Sequence, residues 1–243
     1  LLQVSTFRRL KVGTPLIVII TSLMLLTSLG RMTPRPHVVT ALGLSILINI
    51  IIRRRYLATW NPKHLYRLPL LFLVWANMHP GVLSGMALLV IVFCTDLLLG
   101  VNSSTTKTLK RPTWHDNKQL GLVIALCAIA LLINPHGLTT YTYTLKHTQM
   151  NFLAAIEEWT PPLSAEITTS RLWFYKIFLV LGCVTIAYSI KKREVLPSIL
   201  FVAAAIYSLQ AIRFVADFAI IVAPLTALTL QRFFDHARST FRQ

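Results

Sequence analysis

Residues 65–99 read LYRLPLLFLVWANMHPGVLSGMALLVIVFCTDLLL, two apolar runs that meet at a polar turn. The runs cover 65–77 and 82–99, and the turn between them contains His79, Pro80 and Gly81. Proline removes a backbone donor and glycine permits unusual dihedral angles, so a helix that enters this turn is expected to end there. The stretch is therefore either a tight helical hairpin or one long helix with a break.

The composition of the whole chain agrees with that of this stretch. The chain has 243 residues, of which 55% are hydrophobic and 13% are charged. A soluble domain carries about 25% charged residues, so a soluble globular enzyme is excluded, and the apolar content excludes disorder. The net charge of +16 does not indicate nucleic-acid binding, because basic residues gather in the cytoplasmic loops of membrane proteins. The composition therefore predicts a polytopic membrane protein.

The hydrophobic pattern predicts an all-α transmembrane bundle with about eight membrane segments, or seven, in a single domain over 1–243. The predicted segments are 12–30, 37–52, 65–77, 82–99, 119–133, 171–190, 195–212 and 214–230. A helix needs about 17–25 residues to cross a bilayer, and 65–77 and 119–133 are shorter than that.

The distribution of Lys and Arg predicts the orientation. If eight spans start from a cytoplasmic N-terminus, the inner segments carry 18 Lys and Arg and the outer segments carry 5. This bias follows the positive-inside rule and places both ends of the chain in the cytoplasm. It also favours two crossings within 65–99, because one crossing would separate the basic stretches 53–67 and 100–118.

The polar residues that stand out from this background fall on the predicted external side. Residues 134–170 form a long external loop, and loops of that length are often functional. The polar clusters are RMTPRPH (31–37), WANMHPG (75–81), NPHG (134–137) and EEWTPP (157–162), together with Arg213 and Asp217 one turn apart. They predict an outward-facing site at the membrane surface.

The chemistry of this site is open at the level of the residues. Arg31 and Arg35 suit a phosphate or pyrophosphate, because a guanidinium binds two oxygens at once, and they equally suit snorkelling side chains. Trp75 and Trp159 suit either a sugar-stacking wall or the interfacial aromatic belt. Asn134 suits either ligand binding or the end of a helix.

Histidines and glutamates provide the candidates for acid–base chemistry. Three histidines, His37, His79 and His136, suit either helix ends or general acid–base groups. Glu157 and Glu158 suit either solvated loop residues or a general base. A divalent metal held by His79, His136 and one of these glutamates is weakly supported, because the spacing matches no metal motif.

The order of these clusters resembles the C-terminal part of a family of large bacterial membrane proteins. The resemblance rests on RPH after the first span, LPLLFLVWANMHPG, INPHG, EEWTPP and IRFVADFAIIVAPLTAL, and it covers about 31–230. The topology of that family is similar to GT-C glycosyltransferases, including the dolichyl-phosphate-mannose protein mannosyltransferases. In the family the second cluster commonly reads W-x-N-x-H-G-G, so Pro80 departs from it.

The resemblance implies sugar transfer from a polyprenyl-phosphate carrier at the outer face of the bacterial inner membrane. The partners would be the bilayer and a lipid-linked sugar donor. The resemblance assigns the donor phosphate to Arg31 and Arg35, the sugar pocket to Trp75, Asn77 and His79, and the acceptor to Glu157, Glu158 and Trp159.

Two features of the sequence favour other functions. GT-C enzymes place a catalytic acid in the first external loop, but the loop at 31–36 has none. The chain also begins at Leu1, so we expect a fragment of a larger protein, and the resemblance implies that the loop with the catalytic acid lies upstream. A non-catalytic membrane subunit is therefore one alternative, and a transporter or flippase, which also needs broken helices, is another.

Overall fold

A computed structural model describes residues 1–31, 35–102, 113–147, 150–164, 171–192 and 194–240, and within these ranges all regular structure is helical. Five helical stretches are long and apolar enough to cross a membrane, which indicates a membrane protein. They are Thr14–Arg31, His37–Tyr56, Trp114–Leu132, Leu172–Lys191 and Ile212–Thr240. Val82–Leu98 and Val195–Ser208 are apolar but shorter, so the predicted count of about eight segments is not confirmed.

Ten α-helices follow one another along the described ranges. They are α1 (Leu2–Arg9), α2 (Thr14–Ser28), α3 (His37–Tyr56), α4 (Leu68–Met78), α5 (Val82–Asn102), α6 (Trp114–Leu132), α7 (Thr139–His147), α8 (Arg171–Lys191), α9 (Val195–Ser208) and α10 (Val215–Thr240). The contacts divide the chain into two compact units, and the single domain over 1–243 stays a prediction. Unit 1 contains Leu1–Met32 and Pro161–Gln243, and unit 2 contains Thr33–Thr160.

The stretch 65–99 forms a helical hairpin in unit 2. Helix α4 ends at Met78, and His79 adopts an extended conformation before α5 begins. A Cβ atom on Gly85 would lie 3.4 Å from Cζ of Phe72. In one straight helix these residues would be about 20 Å apart, so the chain reverses direction. With 11 residues, α4 is only about 16 Å long, which is short of the about 30 Å bilayer core.

Side-chain contacts define the two ends of unit 2. The start of α3 meets the α4–α5 turn through Thr40 and His79, and the end of α6 meets the same turn through a bond from Asn77 to Ile133. We call this the polar end. The opposite end, where α3 ends and α5 has passed its middle, carries Arg54 and Asp96. We call this the basic end, and it includes the 3-10 helix Pro62–Arg67 and the start of α6.

Helix α10 is the centre of unit 1. It packs against α1, α2, α8 and α9, and nearly all of its residues from Val215 to Thr229 are buried. Pro224 inside this helix has no N–H, so the carbonyl of Ile220 loses its helical partner. The Gln3 side chain of α1 replaces it, because Nε2 donates to that carbonyl at 3.0 Å. This contact fixes α1 against the central helix.

The predicted external loop 134–170 contains more structure than its sequence suggested. It holds α7 and two 3-10 helices, Asn151–Ala155 and Glu157–Trp159. Residues 148–149 and 165–170 of the loop lie outside the described ranges, so the acidic Glu166 is not placed. The described part of the loop as far as Thr160 belongs to unit 2.

Candidate functional site at the polar end of unit 2

A hydrogen-bonded chain fixes the imidazole of His79. The Gly81 backbone N–H donates to Nδ1 of His79 at 3.0 Å, so this nitrogen is an acceptor and carries no proton. The Thr40 hydroxyl lies 2.8 Å from the same nitrogen and must therefore be a donor. The neutral ring then holds its proton on Nε2, which becomes a hydrogen-bond donor. The turn thus assigns a single tautomer to the candidate acid–base residue.

Trp75 completes this chain from within the core. Its Nε1–H donates to the Thr40 hydroxyl oxygen at 3.1 Å, which leaves the Thr40 proton to point at His79. The ring is 1% exposed and lies between two glycines. A Cβ on Gly43 would come within 2.5 Å of the indole, and one on Gly85 within 2.7 Å. Because it is buried, Trp75 does not present the sugar-stacking face that the sequence suggested.

The cluster EEWTPP meets the cluster RMTPRPH through an ion pair. Nη1 of Arg35 donates to Oε1 of Glu158 at 3.1 Å, with 62% and 44% of the two side chains exposed. Such an exposed pair contributes little to stability. A guanidinium has five N–H donors, so Arg35 can bind a further anionic group without releasing Glu158. Glu157 is exposed next to it, and Trp159 is half-buried.

The two asparagines of the predicted site hold the end of α6. Asn77 uses both amide protons, donating to the carbonyls of Leu73 and Ile133 at 2.8 Å each. Asn134 donates to two carbonyls and accepts from the His136 N–H and from a threonine hydroxyl. These bonds hold the chain where α6 ends, so the structure supports the helix-end interpretation of Asn134 over ligand binding. His136 is exposed beside it, and His37 is half-buried at the start of α3.

Tyr141 joins α7 to the end of α6. Its hydroxyl donates to the carbonyl of Leu131 at 2.5 Å. Burial raises the pKa of the Tyr141 phenol above its usual value, and a hydrogen bond with Asn134 acts in the opposite direction. The phenol is therefore a structural donor near neutral pH.

The structure does not assemble the suggested metal site. Within the described ranges, no group of three or more His, Cys, Asp and Glu side chains could hold a metal ion. The imidazole nitrogen Nδ1 of His79 is also already an acceptor for Thr40 and Gly81. Among the described residues, the polar end offers hydrogen-bond donors and the Arg35–Glu158 ion pair.

Arg31 belongs to unit 1 and is described within that unit. There the positive charges of Arg31 and Arg213 interact electrostatically with the carboxylate of Asp217, and the Tyr207 hydroxyl donates a hydrogen bond to it. The ring of Phe214 stacks on Tyr207 with centroids 4.2 Å apart. Arg213 and Asp217 lie one turn apart in the sequence, but that spacing gives no indication that Arg31 joins them.

Two residues that make important contacts in unit 2, Thr40 and Asp96, were not predicted from the sequence. Thr40 is a small hydroxyl within an apolar run, and nothing in the pattern distinguishes it from a buried helix residue. Asp96 is an acidic residue within the apolar segment 82–99, and an ionisable residue in such a segment indicates a charged partner or a functional position. The structure places its carboxylate between Arg54 and Arg55 at the basic end.

Comparisons with known proteins give no independent identification. No family model matches the chain, and no curated protein and no solved structure matches it either.

Proposed function

We propose that this chain is a GT-C-like membrane glycosyltransferase, or the part of one, that uses a polyprenyl-phosphate sugar donor. One observation carries the proposal: four of the five stretches that carry the sequence resemblance meet at the polar end of unit 2. The start of α3, the α4–α5 turn, the end of α6 and the Glu157–Trp159 helix all meet there. Four separate stretches of sequence thus contribute to one site.

The residues at the polar end have the chemistry that such a transfer needs. The exposed guanidinium of Arg35 suits the donor phosphate, since charge-assisted bonds to phosphate are strong. The Nε2–H group of His79 donates to a sugar or phosphate oxygen. Glu158 is the base: the bond from the anomeric carbon to the phosphate oxygen breaks, its electron pair leaves with the polyprenyl phosphate, and the acceptor oxygen bonds to that carbon. The acceptor proton goes to the Glu158 carboxylate.

The orientation follows from the charges. The basic end carries Arg53, Arg54 and Arg55 in the last turn of α3, together with Lys63 and Arg67. Under the positive-inside rule this end faces the cytoplasm, so the polar end faces outward. That side is where the sequence resemblance expects the donor.

The first experiment measures binding of a short-chain polyprenyl phosphate to the protein in nanodiscs that already contain an anionic phospholipid. Arg35→Gln removes a charged hydrogen-bond donor, so we expect affinity to fall by about tenfold or more. Lys118→Gln removes a charge at the basic end and is the matched control. Equal binding by Arg35→Gln and the control would overturn the assignment of the phosphate.

A second experiment separates binding from chemistry. Proteoliposomes receive the polyprenyl phosphate carrying a tritiated sugar, and release from the carrier is followed. Glu158→Gln should retain donor binding and lose sugar transfer by at least about a hundredfold, as expected for a general base. Transfer that is unchanged in Glu158→Gln removes the base from the mechanism.

A further inference from the structure

Helix α7 is folded back against the end of α6. Gly137 makes the turn between the two helices in the left-handed conformation, with φ +51°, which glycine adopts without strain. The Tyr141 hydroxyl then donates to the carbonyl of Leu131 in the last turn of α6. Because one tyrosine side chain spans the gap, the first turn of α7 lies beside the last turn of a helix that is long and apolar enough to cross a membrane.

An exposed apolar surface runs along α6 and continues past its end. Leu122, Leu126 and Ile129 recur at helical spacing and are exposed, as expected of side chains that face lipid. Beyond the helix, Ile133 is exposed as well, and Leu138 is 66% exposed immediately before α7. The lipid-facing surface of α6 is therefore continuous with the start of the predicted external loop.

The backbone at this junction satisfies its carbonyl groups within the protein. The last carbonyls of a helix have no helical partner, and within a bilayer no water can bind them. The carbonyl of Leu131 accepts from Tyr141 and also from Nδ2 of Asn134 at 2.8 Å, and the carbonyl of Ile133 accepts from Asn77. Side-chain donors thus replace water, which is the arrangement that a turn at the level of the bilayer requires.

The composition of the segment after α6 is that of a membrane boundary. The 23 residues from 134 to 156 contain two histidines but only one Lys, Arg, Asp or Glu, namely Lys146. A soluble domain carries about 25% of these charged residues. Tyr143 is 58% exposed, and tyrosine concentrates where a bilayer meets water, because its ring is apolar and its tip is polar.

Helix α7 also needs a surface in order to remain helical. It has nine residues, TTYTYTLKH, of which four are threonine. Threonine is a poor helix former, and isolated helices shorter than about 12–15 residues are marginal in water. The described side chains of α7 are exposed or half-buried, so packing within the protein contributes little. A bilayer boundary stabilises such a helix, because unpaired backbone groups cost more free energy there than in water.

We propose that α7 is an interfacial helix, which lies in the membrane–water boundary at the polar end of unit 2 with Leu138 and Tyr143 among the lipids. Its partner is the headgroup and upper acyl-chain region of the surrounding leaflet. The exposed Lys146 extends its ammonium group to the headgroups, as lysine side chains do at such a boundary. The first part of the long loop is then bound to the bilayer instead of surrounded by water. This inference does not depend on the proposed sugar transfer.

Spin labels measure the depth of this segment in phosphatidylcholine vesicles. The three cysteines of the chain are replaced by alanine, and a nitroxide is attached to Leu138→Cys or to Tyr143→Cys. Collisions with oxygen, which concentrates in lipid, are compared with collisions with a water-soluble nickel chelate. We expect both labels to lie about 5–10 Å into the boundary between headgroups and acyl chains. The controls are Leu122→Cys on the exposed side of α6 for lipid and Ser239→Cys near the exposed end of α10 for water.

Either of two results would overturn the proposal. A label at Leu138 or Tyr143 that meets the nickel chelate as often as the label at Ser239 would place α7 in water. A label as deep as that at Leu122 would indicate a membrane-embedded segment instead of an interfacial helix.

A second measurement on the unaltered chain applies if the cysteine-free protein does not fold. Phosphatidylcholine with a photoactivatable diazirine on its acyl chain is activated in vesicles, and the adducts are located by mass spectrometry. We expect adducts in both α6 and α7. Adducts in α6 without any in α7 would also overturn the proposal.

Discussion

Replacing Trp75 by phenylalanine tests the structural basis of the candidate site. The change removes the Nε1–H group that donates to Thr40 at 3.1 Å, and it leaves part of the slot between Gly43 and Gly85 unfilled. Losing one buried hydrogen bond costs about 1 kcal/mol. The vacated volume adds about 1–2 kcal/mol, because a packed core relaxes only in part. The free energy of unfolding should therefore fall by about 2–3 kcal/mol.

The assay is unfolding in mixtures of a mild detergent and sodium dodecyl sulfate, followed by circular dichroism. The matched control is Trp173→Phe in α8, where the indole is 63% exposed. Its free energy of unfolding should change by less than about 0.5 kcal/mol. If the two variants are equally stable, Trp75 is not the packed donor described above.

Nitrogen-15 spectra of labelled histidine provide a second measurement on the same protein. In the wild type we expect Nδ1 of His79 to be unprotonated and Nε2 to carry the proton. In Trp75→Phe the Thr40 oxygen regains an acceptor position, so the opposite tautomer should become more populated. A wild-type spectrum with the proton on Nδ1 would contradict the hydrogen-bonded chain.

Three further changes test other parts of the fold. Gly43→Ala should lower the free energy of unfolding in detergent by about 1–2 kcal/mol, despite the better helix propensity of alanine. The control Gly121→Ala should be neutral or stabilising, because its new Cβ would lie 3.3 Å from the ring of Phe93, which can move. The opposite order of stabilities would refute the tight packing of Trp75 against Gly43. Gln3→Ala should cost about 1–3 kcal/mol in the same assay, because the buried Ile220 carbonyl loses its donor; no loss would mean that this donor is dispensable. Burial raises the pKa of Tyr141, so the folded state favours the neutral phenol; this stabilisation is present below the unfolded pKa of about 10 and is lost as the pH rises above it. Between about pH 9 and 11, the Tyr141→Phe variant should therefore lose less stability than the wild type. Identical pH profiles of the two proteins would refute the assignment.

The all-helical class and the helix break within residues 65–99 could be predicted from the sequence. Apolar content and low charge exclude a soluble domain, and Pro80 with Gly81 must end a helix because of backbone chemistry alone. The sequence could not choose between a hairpin and a broken helix. That choice depends on whether Phe72 and Trp75 find a surface to pack against, and the glycines of α3 and α5 provide it.

The site was predicted in part. The sequence identified Arg35, His79 and Glu158 by their unusual chemistry, and the structure pairs Arg35 with Glu158 and fixes the ring of His79. The role of Trp75 could not be predicted, because an indole near a polar turn has the same pattern whether it faces a ligand or the core. Asn134 has the same ambiguity, since a capping amide and a binding amide are identical in sequence.

The sequence by itself determined an α-helical membrane protein with a strong charge asymmetry, because hydropathy and the placement of Lys and Arg are local properties of the chain. Only the tertiary structure decided which polar groups satisfy one another. Asp96 of α5 accepts from Arg54 of α3, a residue 42 positions earlier in the chain. Gln3, near the start of the chain, donates to the carbonyl of Ile220, which has no helical partner because Pro224 lacks an N–H. Such pairings depend on how helices pack, and no local pattern encodes them.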